Sequence, residues 1–239
     1  MGDDITNIGL VIQARMGSSR LPGKVLMNLC GKSVLLHIIE RLKDLKEEYK
    51  RIIITSVEEK DNGIEDFCKE NNILCYRGGE NDVLDRYYQA AKLFELHYIV
   101  RLTGDNPLVD ANNLQLLIDE HLKNNADYSS NKSEVNSGLP EGVGSEIFTF
   151  SALEKSWMEA TNDYYREHVN EHILKNPDKF EMLVVRAVDN RSSTCKDLRL
   201  TIDTKEDFEF VENVIKALQH NNLEINLRNI CMLKERGYL

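Results

Sequence analysis

The sequence has little of what disulfide-rich or zinc-stabilised proteins depend on. It contains five cysteines, an odd number, and no two of them form a C-x-x-C pair, so neither a zinc site nor a disulfide framework is predicted. No histidine adjoins a cysteine in sequence, which disfavours a thiol nucleophile. We therefore expect reduced and mostly buried thiols at Cys30, Cys68, Cys75, Cys195 and Cys231.

Long apolar runs are also missing. None approaches the roughly 18 residues of a membrane span. The opening Met1-Gly2-Asp3-Asp4 is acidic where a signal peptide is basic. With 41% hydrophobic and 29% charged residues, the composition is that of an ordinary folded domain. We expect a cytoplasmic protein without membrane contact.

Positive charge is not in excess. The formal net charge is -10, which argues against a surface that binds a nucleic acid polymer, because such a surface needs many lysines and arginines. A single nucleotide is a different case, since a triphosphate needs only a local basic pocket.

Such a pocket is predicted by the stretch at positions 13–24, directly after the apolar segment 8–12. Its flexible, hydroxylated and cationic residues are Arg15, Gly17, Ser18, Ser19, Arg20, Gly23 and Lys24. Glycine adopts backbone angles closed to other residues and lets a ligand approach the main chain. Successive backbone N–H groups and nearby cations then favour an anion, above all a polyphosphate.

The loop is not one of the common nucleotide motifs. Five residues separate Gly17 from Gly23, and Val25 follows Lys24, so the Walker pattern fails at two positions. The G-x-G-x-x-G fingerprint is absent too. A surface turn with solvated charges is the alternative. The position after an opening strand favours a ligand site, since open α/β sheets bind ligands there.

Strand and helix patterns alternate through the first half of the chain, which predicts βαβ units and a mixed, mainly parallel sheet. The stretch 127–144 is predicted to be an irregular binding loop, and the last forty residues to be largely helical. The predicted strands lie at 8–14, 51–56, 73–76, 98–102, 146–150, 180–187 and 198–202. The predicted helices lie at 33–46, 64–71, 83–94, 110–124, 151–158 and 164–175.

Two carboxylates follow predicted strands. Asp105 lies in Thr-Gly-Asp-Asn-Pro after the strand at 98–102, and Asp203 comes directly after 198–202. Brought to one sheet edge, they would suit magnesium, which prefers oxygen ligands and keeps waters and phosphate oxygens. The alternatives are a turn-forming role for Asp105 and a helix cap for Asp203.

Three motifs in this order resemble the cytidylyltransferases that activate acidic sugars. Ala14 to Lys24 match the opening signature A-R-x-x-S-x-R-L-P-G-K, and the segments 99–108 and 200–207 continue the likeness. The branch is the one named after spore-coat polysaccharide biosynthesis protein F, related to CMP-KDO synthetase. The resemblance implies a three-layer, Rossmann-like nucleotidyltransferase fold of the GT-A-like kind. No stretch has the composition of an interdomain linker, so a single domain over 1–239 is predicted, with an inserted lobe for acceptor binding and dimerisation at about 127–195. The resemblance also implies a homodimer.

The resemblance also implies roles for individual residues. Arg15, Lys24 and Asp105 would be catalytic, and Asp105 and Asp203 would hold Mg²⁺. Nucleotide contacts would come from Ala14, Arg15, Gly17, Ser18, Ser19, Arg20, Lys24, Arg77, Gly78, Asp82, Arg86 and Gly104. The segment 77–86 has an alternative interpretation as a glycine turn followed by the exposed first turn of a capped helix.

Acceptor candidates lie mainly in the lobe. An acidic sugar favours an arginine, and His168 has the alternative of an ordinary packed or surface residue. The candidates are Arg101, Glu141, Glu146, Arg166, Glu167 and His168.

The predicted reaction is transfer of CMP from CTP to a sugar, with release of pyrophosphate, for surface polysaccharide or glycoconjugate biosynthesis. Alignment and charge neutralisation are the main needs of such a step. Three alternatives stay open: another NTP or a phosphorylated acceptor, a GT-A-type glycosyltransferase, and a catalytically silent nucleotide-binding subunit.

Overall fold

A computed structural model describes residues 7–187 and 192–239. Met1–Asp4 and positions 188–191 of the predicted lobe lie outside the described residues. Seven strands form the main sheet and a two-residue hairpin stands apart from it. The strands are β1 (Ile8–Gln13), β2 (Asn28–Leu29), β3 (Lys32–Ser33), β4 (Lys50–Ser56), β5 (Leu74–Gly78), β6 (Tyr98–Thr103), β7 (Tyr128–Ser130), β8 (Glu146–Thr149) and β9 (Met182–Val184).

Helices connect and cover these strands. Several begin at a side-chain cap: Ser33 accepts from the Leu36 N–H, and Asp110 from the Asn113 N–H. Among the described residues, no helix is long and apolar enough to cross a membrane. The helices are α1 (Val34–Leu42), α2 (Asn62–Glu70), α3 (Val83–Leu93), α4 (Ala111–Asn124), α5 (Phe150–Glu159), α6 (Asp163–Glu167), α7 (Glu171–Leu174), α8 (Ser192–Cys195), α9 (Lys205–His220) and α10 (Leu227–Glu235).

The strand order is β5-β4-β1-β6-β8-β7-β9. The first four strands are parallel to one another, β8 runs antiparallel to both β6 and β7, and β7 pairs in parallel with β9. The predicted mixed, mainly parallel sheet is therefore confirmed. Strands of the lobe extend this same sheet rather than forming another.

The sheet lies between two helical layers. Successive side chains of a strand point to opposite faces. Accordingly Leu10 and Ile12 of β1 pack in one buried cluster with α1 and α4, and Val11 packs in another with α3 and α5. A third buried cluster joins α9 and α10 to the segment around Leu200 and Ile202.

Three predictions for the second half were wrong in detail. The predicted loop 127–144 contains β7, whose strand pairing comes from its neighbours β8 and β9. The predicted helix 164–175 is two short helices, α6 and α7. The predicted strand 198–202 makes only one isolated bridge, between Glu141 and Arg199, so Asp203 does not follow a regular strand.

The cysteine prediction also needs correction. Cys195 and Cys231 form a disulfide, with their Cα atoms 5.3 Å apart and a sequence separation of 36. The pair joins α8 to α10, and both residues are buried in the third cluster. Cysteine spacing carries no information about which helices pack together, so this pairing was not predictable. Cys30, Cys68 and Cys75 are free thiols.

Candidate active site

The loop after β1 is held by hydrogen bonds at both ends. The Met16 N–H donates to Asp61 Oδ1 at 2.7 Å, and the Gly23 N–H donates to the Met16 carbonyl at 2.9 Å. Gly23 has φ of +74°, a left-handed conformation that favours glycine, whereas Gly17 lies outside that region. The loop is thus a closed turn at the carboxyl end of β1.

Lys24, at the end of this loop, joins the two candidate aspartates. Its Nζ donates to Asp105 Oδ2 at 2.8 Å, to Asp203 Oδ1 at 2.9 Å and to the Ile202 carbonyl at 2.7 Å. The lysine side chain is only 9% exposed. Two carboxylates from distant parts of the chain therefore meet at one edge of the sheet.

Asp203 is held there by its neighbours. The Ile202 N–H donates to the Asp105 carbonyl at 2.9 Å, which ties the two segments together. Asp203 Oδ2 lies 2.6 Å from Arg199 Nη2 and 3.1 Å from Arg20 Nη2. Burial alone would raise the pKa of Asp203, but Lys24, Arg20 and Arg199 outweigh it and keep that pKa below its ordinary value.

Asp203 does not cap α9. The cap is Thr204, which forms a reciprocal pair with Asp207 at the start of the helix. The carboxylate of Asp203 therefore pairs with the surrounding cations instead of with the helix N-terminus.

A cavity, here called the loop cavity, opens beside the loop. Thirteen of the sequence-predicted site residues line it, and Gln13, Val25, Val83 and Thr103 complete the wall. The thirteen are Ala14, Arg15, Ser18, Ser19, Arg20, Lys24, Arg86, Arg101, Gly104, Asp105, Glu167, His168 and Asp203.

Other predicted nucleotide residues lie outside this lining and have structural partners. The guanidinium of Arg77 donates to the carbonyls of Ser56 and Glu58 and pairs with Glu65. Asp82 caps α3 and accepts two hydrogen bonds from Arg166.

Arg166 also donates to the Trp157 carbonyl, and it does not line the loop cavity. Gly17 and Gly78 do not line the loop cavity either. A Cβ at Gly17 would meet Lys60 and Glu80, and a Cβ at Gly78 would meet Arg86.

A second cavity, here called the lobe cavity, adjoins the first. The two share Arg101, Thr103 and Asp105. Sequence reasoning named Glu141 and Glu146 in this wall but missed Lys132, Glu134 and Ser145. Their only sequence signal was the irregular stretch 127–144, which predicted a binding loop without naming its side chains.

Arg101 and Glu146 form a buried ion pair between the cavities. The glutamate also accepts from Tyr128 and from Asn170, and Arg101 donates to Gln13 at 3.2 Å. Burial alone would raise the pKa of Glu146, but the charge of Arg101 outweighs it and lowers that pKa. Glu146 thus largely neutralises Arg101, which lines both cavities.

The oxygen donors here fit a magnesium ion that the protein would share with a substrate. Among the described residues, no group of three or more His, Cys, Asp or Glu side chains could hold a metal ion alone. Magnesium usually binds one or two carboxylates together with waters and substrate phosphates, which matches Asp105 and Asp203. The Lys24 ammonium between them marks the place as one that suits a cation.

A mixed α/β sheet with a basic loop after its first strand and an aspartate after the neighbouring strand β6 defines a nucleotidyltransferase. The sequence model of the cytidylyltransferase family matches residues 10–231. The chain belongs to the cytidylyltransferase family.

Three individual relatives show how far the likeness extends. An uncharacterized protein of Methanocaldococcus jannaschii is 39% identical over 215 residues, or 90% of this chain and 86% of the relative. The spore coat polysaccharide biosynthesis protein SpsF of Bacillus subtilis is 34% identical over 213 residues, or 87% and 86%. An 8-amino-3,8-dideoxy-manno-octulosonate cytidylyltransferase of Shewanella halifaxensis is 32% identical over 119 residues, or 47% and 46%.

A solved structure shares the whole fold. A cytidylyltransferase of Leptospira borgpetersenii superposes with a TM-score of 0.85 at 33% identity, covering 97% of this chain and 95% of that one.

Proposed function

We propose that this chain is a magnesium-dependent cytidylyltransferase that transfers CMP from CTP to a sugar acid and releases pyrophosphate. The observation that carries the proposal is the meeting of Lys24, Asp105 and Asp203 beside a basic loop. The family name supplies the nucleotide. The name of the Bacillus relative points to polysaccharide biosynthesis, and that of the Shewanella relative supplies a sugar acid as the acceptor class.

The loop cavity is the proposed nucleotide site. Arg15 and Arg20 place positive charge along it, and Ser18 and Ser19 add small hydroxyl donors. Since the Arg20 side chain is 61% exposed, it is free to move onto a phosphate. These groups neutralise the triphosphate and align its α-phosphorus with the acceptor oxygen, which is most of what phosphoryl transfer needs.

The junction of the two cavities is the proposed reaction centre. Asp105 lies at that junction with one carboxylate oxygen on Lys24. When bound, magnesium would neutralise charge on the phosphate oxygens, with Asp105 and Asp203 as its protein ligands. Lys24 would then be released from the carboxylates to hold a phosphate oxygen as a point charge.

The lobe cavity is the proposed acceptor site. Arg101 cannot offer net charge there, because Glu146 already neutralises it. Lys132 is the better partner for an acceptor carboxylate, since its ion pair is with Glu134, whose side chain is 62% exposed. An acceptor carboxylate would displace that solvent-screened pair at little cost.

We also propose a cytoplasmic enzyme that works as a homodimer through the lobe at about 127–195. Exposed apolar side chains support this: Met158, Tyr164, Met182 and Val184 all lie in the lobe. Light scattering of the purified chain at micromolar concentration tests the dimer, and a monomer mass would reject it.

One assay tests the reaction. The protein is incubated with each NTP, Mg²⁺ and a panel of acidic sugars, and pyrophosphate is measured. We expect release only with CTP together with an acidic sugar. Release with a different NTP would favour another nucleotidyltransferase, and binding without release would favour a silent subunit.

A further inference from the structure

The disulfide between Cys195 and Cys231 lies next to the part of the chain that carries Asp203. Residues 196–203, here called the Asp203 segment, follow Cys195 directly, and the Leu198 N–H donates to the Cys195 carbonyl at 2.9 Å. Cys231 lies in α10, and both cysteines are buried in the third cluster. The covalent bond therefore ties the start of the Asp203 segment to α10.

The Asp203 segment contributes to both cavities. Asp203 lines the loop cavity, and Thr201 lines the lobe cavity. The Leu200 N–H donates to the Glu141 carbonyl at 2.8 Å, but the segment forms an isolated bridge there and not a regular ladder. Its position therefore depends on the groups that anchor its two ends.

The anchors at the two ends differ. Asp203, at the far end, is held by Lys24, which in the proposed reaction would leave it for a phosphate oxygen. At the start, an ion pair joins Asp197 to Lys234 of α10, but the Asp197 side chain is 71% exposed. Water screens such a pair, so it contributes little. During turnover the disulfide would thus be the main link that keeps the segment in place.

Reduction of the disulfide should loosen this link. Two unbonded thiols occupy more room than a disulfide, and a close-packed interior has little spare space, so reduction favours separation of α8 from α10. Helix α8 has four residues, a single turn that needs tertiary packing to persist. Thr194 and Lys196, on either side of Cys195, are exposed. Local opening of this turn would therefore bring the sulfur atoms to solvent.

The use of the other cysteines argues against a general disulfide framework. Cys30, Cys68 and Cys75 are free thiols, and the bonded pair is the one next to the Asp203 segment. Disulfides are rare in the reducing cytoplasm, where those present are usually transient and sense the redox state. In the proposed cytoplasmic enzyme, a bond at this place fits such a use.

We propose that Cys195 and Cys231 form a redox switch: the disulfide form is active, and reduction frees the Asp203 segment and slows turnover. The inference rests on the proposed function. A thiolate of a dithiol reductant attacks one Sγ atom, which breaks the Sγ–Sγ bond and forms a mixed disulfide. The second thiol of the reductant then displaces that cysteine. The reductant leaves as a disulfide, and the two cysteines keep two electrons and two protons. A small-molecule disulfide reverses the exchange.

Kinetics of the oxidised and reduced protein test the switch. Pyrophosphate release is measured with CTP, a sugar acid and Mg²⁺ before and after treatment with dithiothreitol, well below the unfolding temperature. We expect kcat to fall roughly fivefold or more on reduction, the size of a typical coupling between sites. The Mg²⁺ concentration for half-maximal rate should rise, because Asp203 is a proposed ligand. Both values should return after reoxidation with glutathione disulfide.

Two double variants assign the effect to the bonded pair. Cys195→Ala with Cys231→Ala should behave like the reduced wild type and should not respond to dithiothreitol. Cys68→Ala with Cys75→Ala is the matched control, because these free thiols line neither the loop cavity nor the lobe cavity. It should respond as the wild type does. If the first variant does not fold, the reversible response of the wild type and of the control decides.

Tryptic cleavage after Lys196 and Arg199 reports on the Asp203 segment without any substrate. Reduction should speed cleavage at these sites roughly tenfold or more, since cleavage follows the population of the open form. Unchanged cleavage would overturn the proposal. A purely structural disulfide would lower the unfolding temperature when reduced but leave kcat and the Mg²⁺ dependence unchanged, and this result would also overturn it.

The two readouts separate this inference from the proposed function. If the oxidised protein releases no pyrophosphate with any sugar acid, the proposed function fails, and so does control of that activity. Faster cleavage on reduction would then still show that the disulfide holds the Asp203 segment. If the oxidised protein is active and reduction changes neither rate nor cleavage, only the switch fails.

Discussion

Lys24 Nζ lies 2.8 Å from Asp105 Oδ2, and this contact connects the basic loop to the turn at the carboxyl end of β6. The same nitrogen donates to Asp203, so one ammonium bridges two carboxylates from distant parts of the chain. Under the proposed function, magnesium and Lys24 would compete for the same oxygens. Because Lys24 contacts both aspartates, substitutions at Lys24, Asp105 and Asp203 should have different effects, which separates their roles.

Asp105→Asn should fold normally but turn over at least 10²-fold more slowly. The amide keeps the shape and an oxygen for Lys24 but removes the charge that a metal ligand provides. Pyrophosphate release checks the rate, and thermal unfolding checks the fold. Asp66→Asn, at an exposed position on α2, is the control with wild-type activity expected. Full activity of the Asp105 variant would remove that residue from the proposed site.

Lys24→Met should lose most activity and gain sensitivity to magnesium. Without the ammonium, Asp105 and Asp203 face each other with only Arg20 and Arg199 nearby, which should cost about 1–3 kcal/mol of stability. Mg²⁺ without nucleotide should then raise the unfolding temperature more than it does in the wild type. The double variant with Asp105→Asn should lose this gain. A magnesium effect equal in all three proteins would argue against competition.

Gly142→Ala should damage the site from a distance. Gly142 has φ of +89°, and an added Cβ would meet the backbone of Leu200 and Thr201. This contact keeps the loop at Glu141 against the segment that carries Asp203. We expect a loss of roughly 1–3 kcal/mol in unfolding free energy together with a lower kcat.

The matched control is Gly79→Ala, because a Cβ there meets nothing within 4 Å. It should be nearly neutral in both urea unfolding and activity. Equal effects of the two substitutions would show that loss of glycine itself, and not the contact at Leu200, matters.

His121 should make the fold sensitive to mild acid. It is fully buried, bonds Ser129 Oγ at 2.7 Å, and burial lowers its pKa to about 4, against a small opposing effect of Asp127. Its folded pKa lies below the unfolded value, so its contribution is complete above about pH 6.5 and is lost as pH falls toward 4. The loss should be on the order of 2–3 kcal/mol.

Urea unfolding at several pH values measures this loss. His121→Gln keeps a partner for Ser129 but does not titrate, so its stability should fall less between pH 6.5 and 4. Part of the decline should remain, because burial also lowers the pKa values of His37 and His172. An identical pH dependence in wild type and variant would contradict the assignment to His121.

The sequence predicted the parts of the site that follow from local pattern. β1, its basic loop and the strand before Asp105 all show short-range signals, namely an apolar run, glycines and a Thr-Gly-Asp turn. The rest depends on contacts between distant segments. The bond between Lys24 and Asp203, the pairing of Arg101 with Glu146, and the disulfide of Cys195 with Cys231 have no local signature.

Contacts between distant segments also determine the strand β7 and the break between α6 and α7. β7 is three residues long and polar at two of them, so only its ladders to β8 and β9 make it a strand. The helical pattern around His168 continues in sequence, but the chain breaks between α6 and α7. Asn170 lies at this break and donates to the buried Glu146 at 2.7 Å.

The central claim is that CTP and a cation meet at Asp105 and Asp203. Anomalous diffraction from crystals grown with CTP and Mn²⁺, a substitute for Mg²⁺, tests this directly. We predict a single strong peak at about 2.0–2.2 Å from oxygens of both aspartates, with the nucleotide in the loop cavity and Lys24 turned toward a phosphate. A peak remote from both carboxylates, or CTP bound outside the loop cavity, would contradict the account.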